Sequence, residues 1–560
     1  MRISTKHANQ QIVEYRDFSG GLNTSNASEM IGQNELSRAV NVEIDKSTGL
    51  LKTVPGTKTL YQRTEGAKFT DIFYDKINDV FIVCDEDKNV YYWHEIKLDE
   101  AGILLNAFVY PHEELPKDGV KKADLVPAFI YPHLTFPKNG VREEDLIPAY
   151  CMEAEELHKV GTLTGDVPPS FALWEDGTLI ASGGKLEYYH GKIMEVLENS
   201  PDNCNGVFVR DGRVWTYSKD RLYTSAVGDE RSWETDANDQ SSGQWIDVGY
   251  KDGGSIVGIV SLSTDMLIIK DNGHVFRLSG SFPDWTIKEV SREVTCRGYR
   301  ASIGILNNAV ILGEGFLQAI STTEEYGDMQ ARDISVKVRN EISLLPRTIK
   351  LRYVAPYNQI WIVDNDRRLL FLELDNNAFF EREYTTVLKD VCYKRDEVYV
   401  LKNDKIQRLD RDSVFDEGYF LNWRWRAKTL VSNNYYLVKR ARIDITPICD
   451  HHFECRFLVG KAELFGTHQN IAACGYHDYM HAYLDSRDAY APPIKVDYLT
   501  SDDAFMYNGY GYEDETPGYS LNMFRTDERF IERLRKIKVE SWGRGGQLLF
   551  NGVNFEIAEV

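Results

Sequence analysis

Cysteine and histidine concentrate in one stretch in the last quarter of the chain. Five of the twelve histidines and three of the eight cysteines fall between residues 449 and 481. Thiolate sulfur and imidazole nitrogen are ligands that zinc accepts in proteins. The spacing, C-x-H-H-x-x-C and later C-x-x-H, matches no zinc-finger pattern, so we favour a polar loop with core thiols and predict no metal site. The less favoured alternative is a zinc site built from Cys449, His451, Cys455, Cys474 and His477.

Other patterns that could do chemistry are incomplete. Asp85–Asn89 opens like an EF-hand calcium loop, but Val90 and Ile96 stand where glycine and glutamate are needed, so a hairpin turn is predicted. Asp211–Trp215 matches only a fragment of the sialidase Asp-box. The sequence has no nucleophile elbow, P-loop or G-x-G-x-x-G. We therefore expect no catalytic residues, no cofactor and no enzyme activity.

The charge balance limits the possible partners. The chain has 560 residues and a net charge of −21, from 86 acidic and 65 basic side chains. Such a surface repels nucleic acid and suits either ordinary solvation or a lumen through which a polyanion passes without adhering. The N-terminal residues lack an apolar signal region, no run of about 18 apolar residues occurs, and the cysteines form no disulfide framework. These features predict cytosolic synthesis and no membrane span.

Seven β-hairpins are predicted along the middle of the chain. Their spacing is roughly 40–50 residues, which is typical of four-stranded propeller blades, while a stack of β-sandwiches is the alternative. We predict an all-β protein whose β-propeller has six or seven blades. The paired strands are Val80–Cys84 with Val90–Trp93, Leu179–Ser182 with Leu186–Tyr189, Val214–Tyr217 with Leu222–Ser225, Asp265–Ile269 with His274–Leu278, Ala309–Leu312 with Phe316–Ile320, Gln359–Val363 with Leu369–Glu373, and Glu397–Leu401 with Lys405–Leu409.

A tandem duplication interrupts the first blade interval. Ala107–Pro127 and Ala128–Pro148 are identical at 12 of 21 positions, which marks an inserted module. Prolines and a glycine in each copy favour short extended arms and turns over long helices. Two interpretations of the repeats stay open. They form either a contact arm that docks on a neighbouring protein or a simple surface loop.

The hairpin array divides the chain into three predicted regions. Residues 1–64 are predicted as an irregular N-terminal leader that contains one short helix over Gln33–Val40. Residues 65–412 form the propeller and carry the insert at 107–148. Residues 413–560 contain longer alternating strands and a final hairpin, which predict a C-terminal β-sandwich.

Several segments of the chain resemble segments of one protein family and occur in the same order. The leader Phe18–Asn23 (FSGGLN), Asn41, Gly49–Lys52 and Pro55-Gly56 resembles the N-terminal signature of tail proteins in tailed bacteriophages. The likeness is to the tail nozzle family (tail tubular protein B) of short-tailed phages and, more loosely, to their DNA-stabilising tail hub. Further similar segments are Arg213–Trp215, Arg221–Ser225, Trp233, Met266–Lys270, Val275–Gly280, Cys296–Gly298, Asn308–Ile320, Arg533–Lys538 and Phe550–Gly552.

The resemblance implies a structural role in the virion. Similar proteins form a six-fold ring in the tail and line the channel for genome retention and ejection. The implied partners are further copies in a hexamer, a tail adaptor or portal-side ring, and passing DNA without specific binding. Tail fibres are a further partner, through residues 107–148. The implied location is the virion tail, after synthesis in the host cytoplasm. The alternatives are a propeller enzyme acting on glycans and a host-binding adhesin.

Overall fold

The chain is built almost entirely of β-strands. The computed structural model describes residues 10–94, 110–111, 125–130, 147–152, 157–236, 238–281, 284–305, 307–322, 329–346, 348–447, 453–459, 462–468, 506–508, 518–524 and 534–559. One α-helix of six residues, α1 (Arg339–Leu344), and 3-10 turns at Val336–Val338 and Ala355–Tyr357 interrupt the strands in these ranges. No helix in the described ranges is long and apolar enough to cross a membrane.

Six strands precede the first propeller blade. Five of them join sheets with strands from the other end of the chain, and the sixth closes the propeller, as described below. They are β1 (Gln10–Tyr15), β2 (Gly21–Leu22), β3 (Glu35–Val40), β4 (Val42–Ile44), β5 (Leu51–Thr53) and β6 (Gly56–Gln62).

The first blade contains the insertion. Its third and fourth strands are direct antiparallel neighbours, with Trp93 opposite Leu157, although residues 94–156 separate them in the chain. Three short strands inside the insertion form a small sheet of their own. In chain order the strands are β7 (Phe69–Asp75), β8 (Val80–Asp85), β9 (Asn89–Trp93), then β10 (Tyr110–Pro111), β11 (Leu125–Ile130) and β12 (Ile147–Met152) of the insertion, and β13 (Leu157–Thr162).

Blades two to five follow the same plan of four antiparallel strands in sequence order. The second strand of each of these blades is buried almost throughout, because neighbouring blades cover both of its faces. The strands are β14 (Ser170–Trp174), β15 (Gly177–Ala181), β16 (Leu186–His190) and β17 (Ile193–Leu197); β18 (Val207–Arg210), β19 (Arg213–Ser218), β20 (Arg221–Thr224) and β21 (Gln244–Asp247); β22 (Ile256–Ser261), β23 (Asp265–Lys270), β24 (Val275–Ser279) and β25 (Thr286–Ser291); and β26 (Ser302–Ile305), β27 (Asn308–Leu312), β28 (Leu317–Thr322) and β29 (Met329–Asp333).

The N-terminal strand β6 completes the last blade. It lies antiparallel to the third strand of blade seven, so the blade that ends the propeller contains residues from before its beginning. This pairing closes the circle without leaving an unpaired first or last blade. Blade six comprises β30 (Lys350–Val354), β31 (Gln359–Val363), β32 (Arg368–Glu373) and β33 (Ala378–Glu383), and blade seven comprises β34 (Leu388–Lys394), β35 (Glu397–Lys402), β36 (Lys405–Asp410) and β6.

The remaining strands form a β-sandwich with the N-terminal strands. One sheet has the order β4-β5-β47-β40-β44-β43, with β1 beside β47 and β45 beside β40; the other runs β3-β39-β46-β41-β42. Trp425 and Phe550 pack edge to face across the two sheets, with ring centroids 5.6 Å apart. The added strands are β37 (Phe415–Asp416), β38 (Tyr419–Phe420), β39 (Asn422–Ala427), β40 (Leu430–Pro447), β41 (Phe453–Val459), β42 (Ala462–His468), β43 (Met506–Asn508), β44 (Gly518–Phe524), β45 (Leu534–Ile537), β46 (Val539–Gly545) and β47 (Leu548–Glu559).

The propeller and the sandwich share a sheet and a core. Strand β3 pairs with β33 of blade six in parallel at Val40 and Glu381, and with β39 of the sandwich on its other side. One buried apolar cluster accordingly runs from blades four to seven into the sandwich and includes Trp361, Phe371 and Phe550. The junction therefore carries continuous backbone pairing and continuous packing.

The blades form as the sequence predicts, whereas the N-terminal segment differs from the prediction. The all-β propeller fold is confirmed, and each of the seven predicted hairpins forms the two middle strands of one blade. The helix predicted over Gln33–Val40 is wrong: Glu35–Val40 is strand β3, because pairing with β39 buries Leu36 and Ala39 completely. The described residues of the predicted irregular leader, 10–64, also differ from it, since strands β1 and β3 to β5 complete the sandwich.

Candidate functional site

A cavity of about 490 Å³ lies where the sandwich meets blade six of the propeller. The N-terminal hairpin β4–β5 forms one wall, and the turn before β31 together with the end of β32 forms the other. Lys46 and Ser47 of the hairpin and Arg411 of the linker are exposed at the rim, whereas Glu43 and Glu373 are almost completely buried. The cavity thus has a polar rim and a floor that contains two buried carboxyl groups.

A buried ion pair beneath this floor joins the two parts of the molecule. The Arg382 Nη2 atom of β33 donates a hydrogen bond of 2.8 Å to Glu43 Oε2 of β4, and both side chains are 2% exposed. The Arg382 guanidinium also lies over the rings of Trp361 and Phe371, at 4.9 and 5.5 Å from their centroids. Gln359 Nε2 donates a second hydrogen bond to Glu43 Oε2. These contacts pair one buried charge of each sign, although Glu43 Oε1 and Arg382 Nε and Nη1 have no hydrogen-bond partner.

The two floor carboxyl groups have opposite pKa shifts. Burial alone would raise the pKa of Glu43, but the charges of Arg382 and Lys52 hold it below its usual range. Burial raises the pKa of Glu373 to about 7, and the negative charge of Glu43 contributes to the rise. Glu43 is therefore ionised at neutral pH, whereas Glu373 is poised between its neutral and charged forms.

The hairpin turn that forms the rim is held by Asp45. Its Oδ2 atom accepts hydrogen bonds from the backbone N–H groups of Ser47 and Thr48, at 3.2 and 3.0 Å. Lys52 Nζ donates to Asp45 Oδ1 at 3.0 Å and lies 3.7 Å from Glu43 Oε1. The positive charge of Lys52 is thus directed mainly to Asp45, and the rim has a defined shape.

Asn41 forms hydrogen bonds to both the propeller and the sandwich. Its backbone is in the left-handed region (φ 54°), which asparagine tolerates better than most residues. The side-chain Nδ2 atom donates to the carbonyls of Glu383 and Asn422 at 3.2 and 2.6 Å, and Oδ1 accepts from the Glu383 N–H at 2.7 Å. One buried amide therefore ties blade six and strand β39 to the N-terminal segment.

Charged side chains also occupy the innermost strands of the propeller. Arg352 of blade six makes a bidentate contact with Asp390 of blade seven, at 2.8 and 3.0 Å, and Lys350 Nζ lies 2.6 Å from Asp71 Oδ1 of blade one. Arg300, from the loop before blade five, donates to the carbonyls of Pro168 and Pro169 before blade two. Blades that are distant in sequence are thus cross-linked through the centre of the propeller.

The residues predicted as possible metal ligands do not form a described site. Cys449, His451, Cys474 and His477 lie outside the described residues, and Cys455 lies in strand β41 opposite Gly466 and Gly543. In the part of the chain that the structure describes, no group of three or more histidine, cysteine, aspartate or glutamate side chains could hold a metal ion.

The loop with an EF-hand-like beginning is a hairpin turn, as predicted. Asp85 Oδ1 accepts hydrogen bonds from the backbone of Asp87 and Asn89, at 3.1 and 2.9 Å. Asp85 Oδ2 accepts from Arg63 Nη1 and Tyr91 Oη, at 3.2 and 3.0 Å. The carboxylate therefore stabilises its own turn, and its oxygens are taken up by protein donors.

Sequence reasoning did not identify the junction residues. Glu43 and Arg382 are 339 positions apart, so no local pattern relates them. A signal was available in strand β33, AFFERE, because an arginine stands inside an aromatic strand whose neighbours Phe379 and Phe380 are buried. A charged side chain in such a strand needs a buried partner.

Comparisons with known proteins find β-propeller domains at low similarity. No protein-family model and no curated protein matches this chain. Among solved structures, the WD40 β-propeller domain of Doa1 is similar over 64% of this chain and 98% of its own, with 10% identity and a TM-score of 0.37. The WD40 domain of Neurospora crassa Pan2 is similar over 65% and 98%, with 8% identity and a TM-score of 0.37. The extracellular domain of the one-component system BT4673 from B. thetaiotaomicron covers 78% and 58%, with 10% identity and a TM-score of 0.39. Likeness at this level concerns the fold alone and carries no argument about function.

Proposed function

We propose that this protein is a structural virion protein of a tailed bacteriophage. In this proposal it forms a ring in the tail, as nozzle or hub, and lines the channel for genome retention and ejection. The proposal rests on one observation: the N-terminal strands are divided between the propeller and the sandwich. Strands β1 and β3 to β5 complete the sandwich, β6 closes the propeller, and β3 joins the two in one sheet. A ring that holds and guides a long polymer needs subunits whose parts do not separate under load.

The segments that resemble tail proteins support this proposal through their positions. Phe18 of the FSGGLN segment packs on Trp425 of the sandwich, with ring centroids 5.3 Å apart. Gly21, at φ 64°, leaves room for Ala378 and Phe379 of blade six. Asn41 bonds to both parts, as described above. These three positions of the resemblance therefore join the propeller to the sandwich.

A second matching segment, Cys296–Gly298, also has a structural role. The Arg297 guanidinium donates to the carbonyls of Ile342 and Pro346 at the end of helix α1, at 2.9 and 3.0 Å, and to Gly313 at 2.9 Å. Two separate segments thus converge on one side chain. These contacts fix the loop from which Arg300 reaches into the propeller centre.

The charge and the insertion fit the same proposal. A net charge of −21 gives a wall that repels DNA phosphates, so DNA slides past it without specific binding. The insertion leaves blade one between β9 and β13, which pair directly at Trp93 and Leu157. Residues 107–148 can therefore contact a tail fibre or an adaptor ring without a change in the propeller.

Gene context and particle imaging test this proposal. We expect portal and adaptor genes beside the gene for this chain, and a six-fold ring in electron micrographs of the tail. Antibodies raised against residues 65–412 should label the tail of intact particles. A gene in an operon without virion genes, or a purified protein that stays monomeric and hydrolyses a glycan, would overturn the proposal in favour of the enzyme alternative.

A further inference from the structure

We propose that the cavity between hairpin β4–β5 and blade six is a binding site for an alkylammonium or alkylguanidinium group. This inference concerns a different property from the ring and does not rest on it. The chemistry of the ligand follows from the hydrogen-bond donors and positive charge that the cavity lacks. Its floor holds two buried carboxyl groups, and the protein supplies only part of the hydrogen bonding and charge that they need.

Glu373 is the first of these groups. Its side chain lines the cavity, and the whole residue is only 1% exposed. The hydrogen bond that it accepts comes from Asn376 Nδ2, at 3.4 Å, near the upper limit for such a contact. Among the described residues, no lysine, arginine or histidine nitrogen lies within ion-pair distance of its carboxylate. A buried carboxylate in this position is stabilised by a cation that enters from outside.

Glu43 is the second group, and its two oxygens differ. Oε2 accepts the hydrogen bonds from Arg382 and Gln359, whereas Oε1 is buried and accepts no hydrogen bond in the structure. Lys52 Nζ lies 3.7 Å from Oε1 but hydrogen-bonds to Asp45 instead. Because Glu43 and Glu373 both line the cavity, we expect a ligand with several N–H donors to bond to both.

The charges around Glu373 favour a cation over an anion. Glu43 on β4 and Asp375 on the following turn are negative, and Lys46 is the nearby positive group, 3.8 Å from Asp375. The cavity as a whole is lined by four acidic residues (Glu43, Asp45, Glu373 and Asp412) and three basic ones (Lys46, Lys52 and Arg411), one acid more than base. An anion would meet two buried carboxyl groups at the floor.

The walls suit an alkyl chain behind the charged group. Pro55 lies on one side of the cavity, and Pro356 and Tyr357 lie on the other. Methylene groups pack against proline and tyrosine rings, while the ammonium or guanidinium end reaches the floor. Both a free diamine and the side chain of a lysine or arginine from another protein have this chemistry.

The binding has a defined pH dependence. A cation binds the ionised form of Glu373, whose pKa in the empty cavity is raised to about 7. The ionised fraction of such a group rises about tenfold from pH 6 to pH 8, so the apparent affinity rises about tenfold over the same interval. The other charged groups at the cavity include Lys46, Lys52 and Arg411, and Glu43 stays ionised because its pKa is lowered.

Calorimetry on the full-length chain tests the proposal. The probes are agmatine, 1,5-diaminopentane and the blocked tripeptide Gly-Arg-Gly, with 1,5-pentanediol as the uncharged analogue. We expect at least one cationic probe to bind about tenfold more tightly at pH 8 than at pH 6, and the diol not to bind. Tighter binding of the tripeptide identifies a partner's side chain as the source, and tighter binding of the amines identifies a free ligand.

Two matched variants locate the site. Glu373→Gln should weaken cation binding at least tenfold and remove its pH dependence. Glu381→Gln should change neither, because Glu381 is a carboxyl group on the next strand whose pKa burial also raises to about 7, but it does not line the cavity. Tyr357→Leu at the wall provides a variant that leaves the floor charges intact, and it should weaken binding of every cationic probe. Absence of binding by all cationic probes, equal binding of the diol, or equal loss in Glu381→Gln overturns the proposal.

Discussion

The ion pair between Glu43 and Arg382 offers the sharpest test of how the propeller and the sandwich are held together. In Arg382→Met the methionine fills much of the space of the arginine stem, but the charge and the hydrogen bond to Glu43 Oε2 are lost. Removing one partner of a buried ion pair costs about 3–5 kcal/mol, because the other charge is left without compensation. The loss of contacts with the Trp361 and Phe371 rings adds to this cost. We expect the free energy of unfolding to fall by at least the lower figure at pH 8.

The same variant should have a pH dependence that the native protein lacks. In the native protein the folded-state pKa of Glu43 is lowered, so its stabilising contribution is present above the unfolded pKa and is lost only in acid. Burial is already the largest single cause acting on the pKa of Glu43, and without Arg382 it outweighs the lowering by Lys52. The folded-state pKa then rises above the unfolded value of about 4.3. The variant then loses stability as the pH rises, by up to about 1.4 kcal/mol per unit between the unfolded and the new folded pKa.

Denaturant unfolding followed by tryptophan fluorescence measures both effects. Curves at pH 5 and pH 8 should show a larger deficit of Arg382→Met at pH 8. The double variant Glu43→Gln/Arg382→Met should recover most of the loss, because it leaves no uncompensated charge. Arg292→Met, which removes an exposed arginine from a surface pair with Glu289, should not shift the midpoint measurably. A deficit below about 1 kcal/mol, or one that is equal at both pH values, would refute the reasoning.

Three further predictions address other parts of the fold. Lys402→Met leaves the fully buried Asp416 without its cation at 2.6 Å and should lower the free energy of unfolding by about 3–5 kcal/mol; an unchanged denaturation midpoint would contradict this. Gly21→Ala should lower the thermal midpoint more than Gly49→Ala, since both have positive φ but only the first would place a Cβ 2.7 Å from the Ala378 Cβ. Replacing residues 95–156 with a two-residue turn should leave the circular dichroism spectrum and thermal midpoint of the propeller intact, whereas insoluble protein would show that the insertion supports blade one.

The blades were the most predictable part of the structure. Alternating and apolar runs around turns such as Asp271–Gly273 depend on contacts within about ten residues, so the seven hairpins could be found without knowledge of their partners. The helix predicted over Gln33–Val40 is wrong because the conformation of this segment depends on distant strands. Its backbone partners, β33 and β39, lie more than 300 positions further along the chain. Local propensity is a weak guide where pairing of this kind decides the conformation.

The candidate site was less predictable than the fold. Glu43 sits in a three-residue strand of ordinary composition, and Glu373 ends a blade strand, so neither has a local motif. Only the arginine within the aromatic strand β33 signalled that a buried partner must exist. The stretch that carried the most suggestive ligand types, between residues 449 and 481, mostly falls outside the described residues, and its metal-binding alternative stays a prediction.

The sequence by itself determined the all-β class, the seven hairpins, the inserted duplication and the acidic character of the surface, because each depends on composition or on neighbours within one turn. Only the tertiary structure decided that strands β1 and β3 to β5 belong to the sandwich, that β6 closes the propeller, and that Glu43 meets Arg382 beneath the floor of a cavity. Those features arise from contacts between distant segments, which pair buried charges and cover sheet edges, and no single stretch of the chain encodes them.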